Sequence, residues 1–398
     1  MKNSEVKNIA PGVDWVGVLD LDIVTFDVVM ETKYGTTYNS YLVRGKDKIA
    51  LIETAKVTFW EDYIEKIKSL IDPALIDYIV MDHTEPDHAG SLVNLLALAP
   101  KAQVVASGTA LRYLADITNI EFSSKAVKEG DSLDLGGKTL QFISAPNLHW
   151  PDSMYTYLPE DQILFTCDSF GSHFANQEVF DDLVGNFEDA FKYYFYAILR
   201  PFSRFLLKAI EKVNTLKIKV ICPGHGPILR SYWRKYVDWS KTMSEEFVQY
   251  PLTNRVMIAY VSAYGYTGAL AGKIAEGLKS AGLDVDICNV ENMSAEEISS
   301  HLERASAFIF GSSTINQNAL PPIYSCFALL SPIRDRAKLA GAFGSFGWSG
   351  EAKQIIESNI QTSKLAYIGE SYFVKFKPSE KELQGAVDYG VRFAQKML

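Results

Sequence analysis

Paired cysteines are the first thing this sequence lacks. Its four cysteines, Cys167, Cys222, Cys288 and Cys326, are scattered with no CxxC pair, which excludes a disulfide framework and a rubredoxin or zinc-ribbon site. Long apolar runs are missing too, none approaching the roughly 18 residues that a membrane span needs. The opening Met1-Lys2-Asn3-Ser4-Glu5-Val6-Lys7 has no apolar stretch of secretory type, so a cytoplasmic protein is expected. Nor is there a basic excess: the net charge of −9 argues against nucleic acid or an anionic membrane as the main partner. Fixed-period repeats and biased segments are absent. What remains is a globular composition, 398 residues with 47% hydrophobic and 22% charged, long enough for two cores at roughly 100–200 residues per domain.

The hydrophobic texture changes once. Before residue 250, short β-type runs (Val16–Val18, Tyr38–Val43, Ile49–Ile52, Tyr78–Met81, Val104–Ala106, Leu140–Ile143, Ile163–Thr166, Val220–Cys222) alternate with helical patterns at 59–71, 90–98 and 187–213. That mixture suits sheet-on-sheet packing with outer helices. After Tyr250-Pro251-Leu252-Thr253-Asn254 the pattern becomes strict βα alternation, five units in all, which predicts a doubly wound parallel sheet. The expected domains are therefore 1–252 and 253–398.

Ligands of such a sheet bind at the carboxyl ends of its strands. Ser262-Ala263-Tyr264-Gly265-Tyr266-Thr267-Gly268 runs into a helix and offers hydroxyls and backbone N–H groups to a phosphate. It matches neither GxGxxG nor a nucleotide P-loop, so NAD and ATP fit poorly. Gly311-Ser312-Ser313-Thr314-Ile315-Asn316 is small and polar, and Gly344-Ser345-Phe346-Gly347-Trp348-Ser349-Gly350 adds aromatic faces. A phosphate cradle beside an aromatic loop suits a flat phosphorylated ring system. The candidate contacts are Ser262, Tyr264, Gly265, Tyr266, Thr267, Ser313, Thr314, Ile315, Asn316, Ser345, Phe346, Gly347, Trp348 and Gly350. The competing reading is a bare response-regulator-like sheet, which normally carries acids at its first strand end; this one does not.

The strongest signal lies earlier, in Asp82-His83-Thr84-Glu85-Pro86-Asp87-His88-Ala89-Gly90, between a buried strand and a helix. Side chains two apart on extended backbone share a side, so His83, Glu85 and Asp87 can converge while His88 turns into the helix. His149, Asp168 and His225 (in Pro223-Gly224-His225-Gly226) also sit just past predicted strands. Four histidines and three carboxylates suffice for two metals with one carboxylate shared. A carboxylate at Glu85, rather than a third imidazole, makes the site harder and favours iron or manganese over zinc.

The three loops of the second half look like those of flavodoxins, whose ligand is FMN. The ordered ligands of the first half resemble a metallo-β-lactamase fold of αββα layering. Together, HTEPDHAG, the Leu148–Met154 segment and PGHG make the chain similar to the flavodiiron proteins, or A-type flavoproteins, over nearly its full length. The resemblance implies that His83, Glu85 and His149 hold one iron and Asp87, His88 and His225 the other, with Asp168 bridging. It implies FMN relaying electrons from an external donor, a rubredoxin-type protein first, with F420H2 or a nicotinamide route as alternatives. It also implies a head-to-tail homodimer or dimer of dimers. The resemblance also brings a departure: many relatives carry a Tyr-Tyr-Ala-Asn segment with its second tyrosine near the metals, whereas Tyr194-Phe195-Tyr196-Ala197 puts Phe195 in that place, so a phenolic donor would have to come from Tyr194 or Tyr196. His173 is a candidate pocket residue and His301 a surface one.

Two ferrous ions and a reduced flavin hold four electrons, what O2 needs to become water, whereas two NO need two to give N2O. The expected activity is thus O2 reduction, with NO reduction second. Two other classes compete: a dinuclear zinc hydrolase with a flavodoxin-like appendage, and an electron carrier or redox sensor that leaves seven ligands idle.

Overall fold

The computed structural model describes residues 5–27, 30–249 and 253–397. The chain divides into two compact units, Met1–Glu245 and Glu246–Leu398. The boundary expected after Leu252 falls outside the described residues.

The first unit stacks two sheets. One has seven strands in the order Lys7–Ala10, Val13–Trp15, Tyr41–Arg44, Ile49–Ile52, Tyr78–Met81, Gln103–Ser107 and Ser124–Val127. The other has five: Ser132–Asp134, Thr139–Ser144, Met154–Leu158, Ile163–Phe165 and Val220–Cys222. Alternation along the strands builds both cores. Val43, Ala50, Ile52, Val80 and Val105 pack with Leu140, Phe142, Leu158 and Phe165 between the sheets. Their neighbours Leu42, Leu51, Ile79 and Val104 pack instead with Tyr63, Ile64, Ile67, Leu92 and Leu114 of the covering helices. Helix Trp60–Leu70 shows why such elements form: Tyr63, Ile64 and Ile67 make one apolar stripe, with Glu61 and Asp62 in the first turn and Lys68 in the last. The layering is αββα.

Sequence reasoning misplaced several elements here. The run Tyr38–Val43 is two strands, Thr36–Tyr38 and Tyr41–Arg44, because Asn39 and Ser40 turn their side chains to other loops. The helix expected over 187–213 is interrupted: Glu188–Tyr194, a π-helical turn Phe195–Leu199, a 3-10 turn Arg200–Phe202 and then Ser203–Val213.

The second unit is a parallel sheet in the order Asp284–Asn289, Arg255–Val261, Ala307–Ile315, Leu339–Phe346 and Ala366–Lys375, with the short Asn318–Ala319 antiparallel at one end. This 2-1-3-4-5 order is the flavodoxin-like winding. Helices Tyr266–Ser280 and Glu380–Met397 cover one face, where Gly277 and Gly390 lie against each other's helix backbone so closely that a Cβ on either would collide with a carbonyl.

Candidate metal centre and cofactor pocket

Strand ends of both sheets deliver the first site. His83 follows Tyr78–Met81, Glu85 precedes the single turn Pro86–Ala89, and that turn carries Asp87 and His88. Pro86 presets the helical φ, so Asp87 leaves the side shared by His83 and Glu85. The expected convergence of those three therefore splits. His83, Glu85, His149 and Asp168 form one group, and Asp87, His88 and His225 another, with the ligand atoms of each within 4.8 Å of one another.

Asp168 faces both. Its Oδ2 lies 3.4 Å from His83 Nε2 and 3.4 Å from His149 Nε2, and its Oδ1 lies 3.2 Å from His88 Nε2 and 3.4 Å from His225 Nε2. Glu85 Oε2 is 3.2 Å from His83 Nε2 and 3.0 Å from His149 Nε2, while Asp87 Oδ2 is 3.1 Å from His225 Nε2. All four imidazoles turn Nε2 inward, and in three of them Nδ1 is held by another group. His83 Nδ1 meets Asp152 at 3.1 Å, His88 Nδ1 meets Glu53 at 3.3 Å, and His225 Nδ1 donates to the Thr37 carbonyl at 2.6 Å. Glu53 also accepts from the backbone N–H of His83 at 2.9 Å, and Asp152 from Thr84 N–H and Oγ1 at 2.9 Å each.

Glu53 and Asp152 are the residues that sequence reasoning missed. Glu53 ends strand Ile49–Ile52, and Asp152 lies in the quoted Leu148–Met154 segment, so each sat in the strand-end context that marked the ligands. The loops that bring these groups together carry left-handed backbone at non-glycine positions: Glu53 (φ 61°), Asn147 (65°), Cys167 (40°) and Phe170 (66°). Such positions cost about 1–3 kcal/mol each and persist where surrounding contacts enforce them. Gly224 is needed for space, since a Cβ there would come within 2.5 Å of His88 Cε1. Cys167 and Cys222, which neighbour ligand positions in the sequence, are buried in the two cores.

The electrostatics are those of a site built around positive charge. Burial alone would lower His83, but hydrogen bonds with Asp152 and Glu85 and the charge of Asp168 raise it to about 10. His149 likewise rises to about 9 against its burial, through Asp168 and Glu85. Burial pushes Asp168 up, yet the His88 charge and the bonds from His149 and His88 hold it well below the usual carboxylate range. Even so, Asp87 Oδ1 and Oδ2 and Asp168 Oδ2 are buried without a hydrogen-bond donor. Oxygen atoms left so cost roughly 1–3 kcal/mol apiece, and a bound cation removes the deficit. The residues fit a metal pair.

Two further groups face this centre. Tyr194 is buried, with its phenol against Asp168 and burial holding its proton far more tightly than usual. Of the aromatics left open by the sequence, Tyr194 at the end of helix Glu188–Tyr194 is thus the one beside the carboxylates, whereas the Phe195 ring meets Tyr196 at 5.7 Å. A cavity lined by Phe26, Asp27, Lys56, Thr58, Glu85 and Asp87 opens beside the centre, where burial and the Glu85 charge push Asp27 up to about 6. His301 pairs with Asp286 at 3.1 Å on a half-exposed helix of the other unit.

In the second unit a cavity at the strand ends is lined by Tyr264, Tyr266, Ser313, Thr314, Ile315, Asn316, Ser345, Phe346, Gly347, Trp348 and Phe376. Ser262, Gly265, Thr267 and Gly350 do not line it. Thr267 is fully buried and ties the three loops together, its Oγ1 lying 3.0 Å from Ser313 Oγ and 2.9 Å from Ser345 Oγ. Ser262 Oγ accepts from Gly268 N at 3.2 Å, and Gly265 supplies the left-handed φ of 81° from which helix Tyr266–Ser280 starts without a side-chain cap. Phe376 is not among the sequence candidates; the last strand runs to Lys375 and carries Phe376 to the rim. Thr314 Oγ1 is buried without a partner, Trp348 is 86% exposed and Tyr264 80%. An unsatisfied hydroxyl, an uncapped helix start and two open aromatic faces fit a phosphorylated flavin.

Comparison with known proteins gives the same division. Residues 36–226 match the ODP family β-lactamase domain and residues 258–390 the flavodoxin domain. The flavo-diiron protein FprA2 of Clostridium acetobutylicum is 40% identical over 395 residues, covering 96% of this chain and 97% of the relative. The nitric oxide reductase of Moorella thermoacetica is 35% identical, covering 98% of each. Among solved structures, rubredoxin oxygen:oxidoreductase from Desulfovibrio gigas superposes with a TM-score of 0.70 at 30% identity, covering 99% of this chain and 98% of that one. With both domains matched in order and full-length relatives at this identity, the chain belongs to the flavodiiron, or type A flavoprotein, family.

Proposed function

We propose that this chain reduces O2 to water, and NO to N2O as a second activity. The centre would be a diiron site held by His83, Glu85 and His149, by Asp87, His88 and His225, and by Asp168 between them, with FMN bound against the Tyr264, Thr314 and Trp348 loops. The observation that carries this reading is Asp168 presenting one oxygen to each pair of histidines. The donor set is nitrogen and oxygen without thiolate, which favours iron over zinc. When bound, the irons and FMN supply coordination of the diatomic and its electrons, four for O2 and two for a pair of NO.

The chain's own groups do the rest. Asp152, Glu53 and the Thr37 carbonyl fix the imidazole tautomers, keeping each Nε2 lone pair directed inward. Tyr194 holds a proton on its hydroxyl beside Asp168, where either reduction consumes protons. The cavity beside Phe26 and Asp27 admits a diatomic. Electrons arrive from an external carrier, a rubredoxin-type protein first and F420H2 or a nicotinamide route otherwise; the name of the Desulfovibrio gigas relative supports the first. Exposed Trp348 and Tyr264 support a head-to-tail homodimer, alone or paired into a dimer of dimers, in which a second copy covers the flavin. Among the described residues no helix is long and apolar enough to cross a membrane.

Metal analysis with a visible spectrum tests the reading. About two irons per chain, a flavin band and O2 or NO consumption on reduction are expected. Two zincs, no flavin and hydrolytic turnover would overturn it.

A further inference from the structure

His173 belongs to neither ligand group, yet it is buried at the edge of one of them, 4% exposed. Its ring packs at 4.3 Å from Phe26, at 4.8 Å and nearly perpendicular to Tyr194, and at 5.3 Å from His225. Nδ1 is fixed by Thr36 Oγ1 at 2.8 Å, while Nε2 is buried with no partner at all. An imidazole that accepts a hydrogen bond at Nδ1 carries its N–H on Nε2, and the surroundings of Thr36 give Nδ1 the acceptor role. The Thr36 hydroxyl makes only a 3.4 Å contact to the Thr37 carbonyl, too long to compete with a 2.8 Å bond to Nδ1.

An orphaned buried donor costs free energy and is retained where something fills its vacancy. We propose that His173 Nε2–H is a hydrogen-bond donor to the diatomic substrate, acting with the Tyr194 hydroxyl as negative charge develops on it. This rests on the assignment of the neighbouring ligands to iron. A donor aimed at developing charge acts more on turnover than on binding.

The test uses the iron-loaded, FMN-containing protein with His173→Phe, which keeps a ring against Phe26 and Tyr194, and His173→Gln, which restores a donor. In His173→Phe the N–O stretching band of the reduced protein under NO should shift. At unchanged iron content kcat should fall about tenfold, with KM within about twofold. His173→Gln should move both back toward the parent. Should His173→Phe lose iron, Thr36→Val decides, since it frees Nδ1 without removing the imidazole and should shift the same band. An unshifted band and parental kcat in the iron-loaded variants overturn the role of His173. A parent protein that gives no nitrosyl band overturns the iron assignment instead.

Discussion

The two sites of this chain solve opposite problems. The centre between the sheets concentrates four histidines and three carboxylates in a buried volume and holds them with Glu53 and Asp152, further charges on the outer sides of His88 and His83. The cavity of the parallel sheet is lined by hydroxyls, an amide and aromatic rings, with no lysine, arginine, histidine or carboxylate in its wall. The asymmetry extends to the surface. Acidic and basic residues balance over 253–398, so the whole net charge of −9 belongs to residues 1–252. A multivalent cation needs formal negative charge at short range, whereas a phosphorylated ring can be held by backbone N–H groups and stacking.

If that contrast is right, each site can be emptied without the other. Asp168→Ala should have the largest effect, removing O2 and NO turnover by more than about 100-fold and lowering iron content while the flavin absorbance stays. Full-rate turnover in that variant would break the assignment. Thr267→Glu puts a charge among Ser313, Ser345 and the phosphate cradle; FMN should be lost, with iron retained on metal analysis. Asp152→Asn keeps every ligand but weakens the partner of His83, and should cost about 10- to 100-fold in iron affinity or turnover, measured by chelator competition.

A pH series sharpens the comparison. His83 and His149 lie above their ordinary value, so in the metal-free protein they carry protons at neutral pH and release them toward about pH 9 to 10. The stability they lend the metal-free form is complete below about pH 6.5 and lost as pH rises through that window. Ferrous ion must displace the same protons, so iron uptake should strengthen from pH 7 to 9 while FMN affinity stays flat; parallel slopes would refute the contrast. The smallest effect expected is Trp348→Leu, about three- to tenfold weaker FMN binding by fluorescence titration, the size of one stacking contact.

Much of this was legible in the sequence because each ligand sits two to seven residues past a strand with strong β pattern, and the parallel strands announced themselves by strict alternation with helices. Partners distant in sequence were not. Nothing local ties Glu53 to His88 or Asp152 to His83; only sheet pairing brings them together. Which of three consecutive aromatics faces Asp168 was equally hidden, since periodicity within Glu188–Tyr194 does not say which side of that helix meets loops distant in sequence, and the π-helical turn after it left no mark on so short a span. Phe376 escaped because the last strand carries its ladder beyond the point where its apolar run ends.

Asn39 Nδ2 donates to the carbonyls of both Pro223 and Gly226, at 2.9 and 3.0 Å, and Thr37 receives His225. The turn between strands Thr36–Tyr38 and Tyr41–Arg44 thus waits for a loop made almost two hundred residues later. On the ribosome the centre cannot close until residue 226 has left the exit tunnel, by which time all seven strands of the larger sheet have already been synthesised and can pair. Metal capture is therefore among the last events in the maturation of this unit, and a chain arrested before that point would present a half-built cage to the cell's iron.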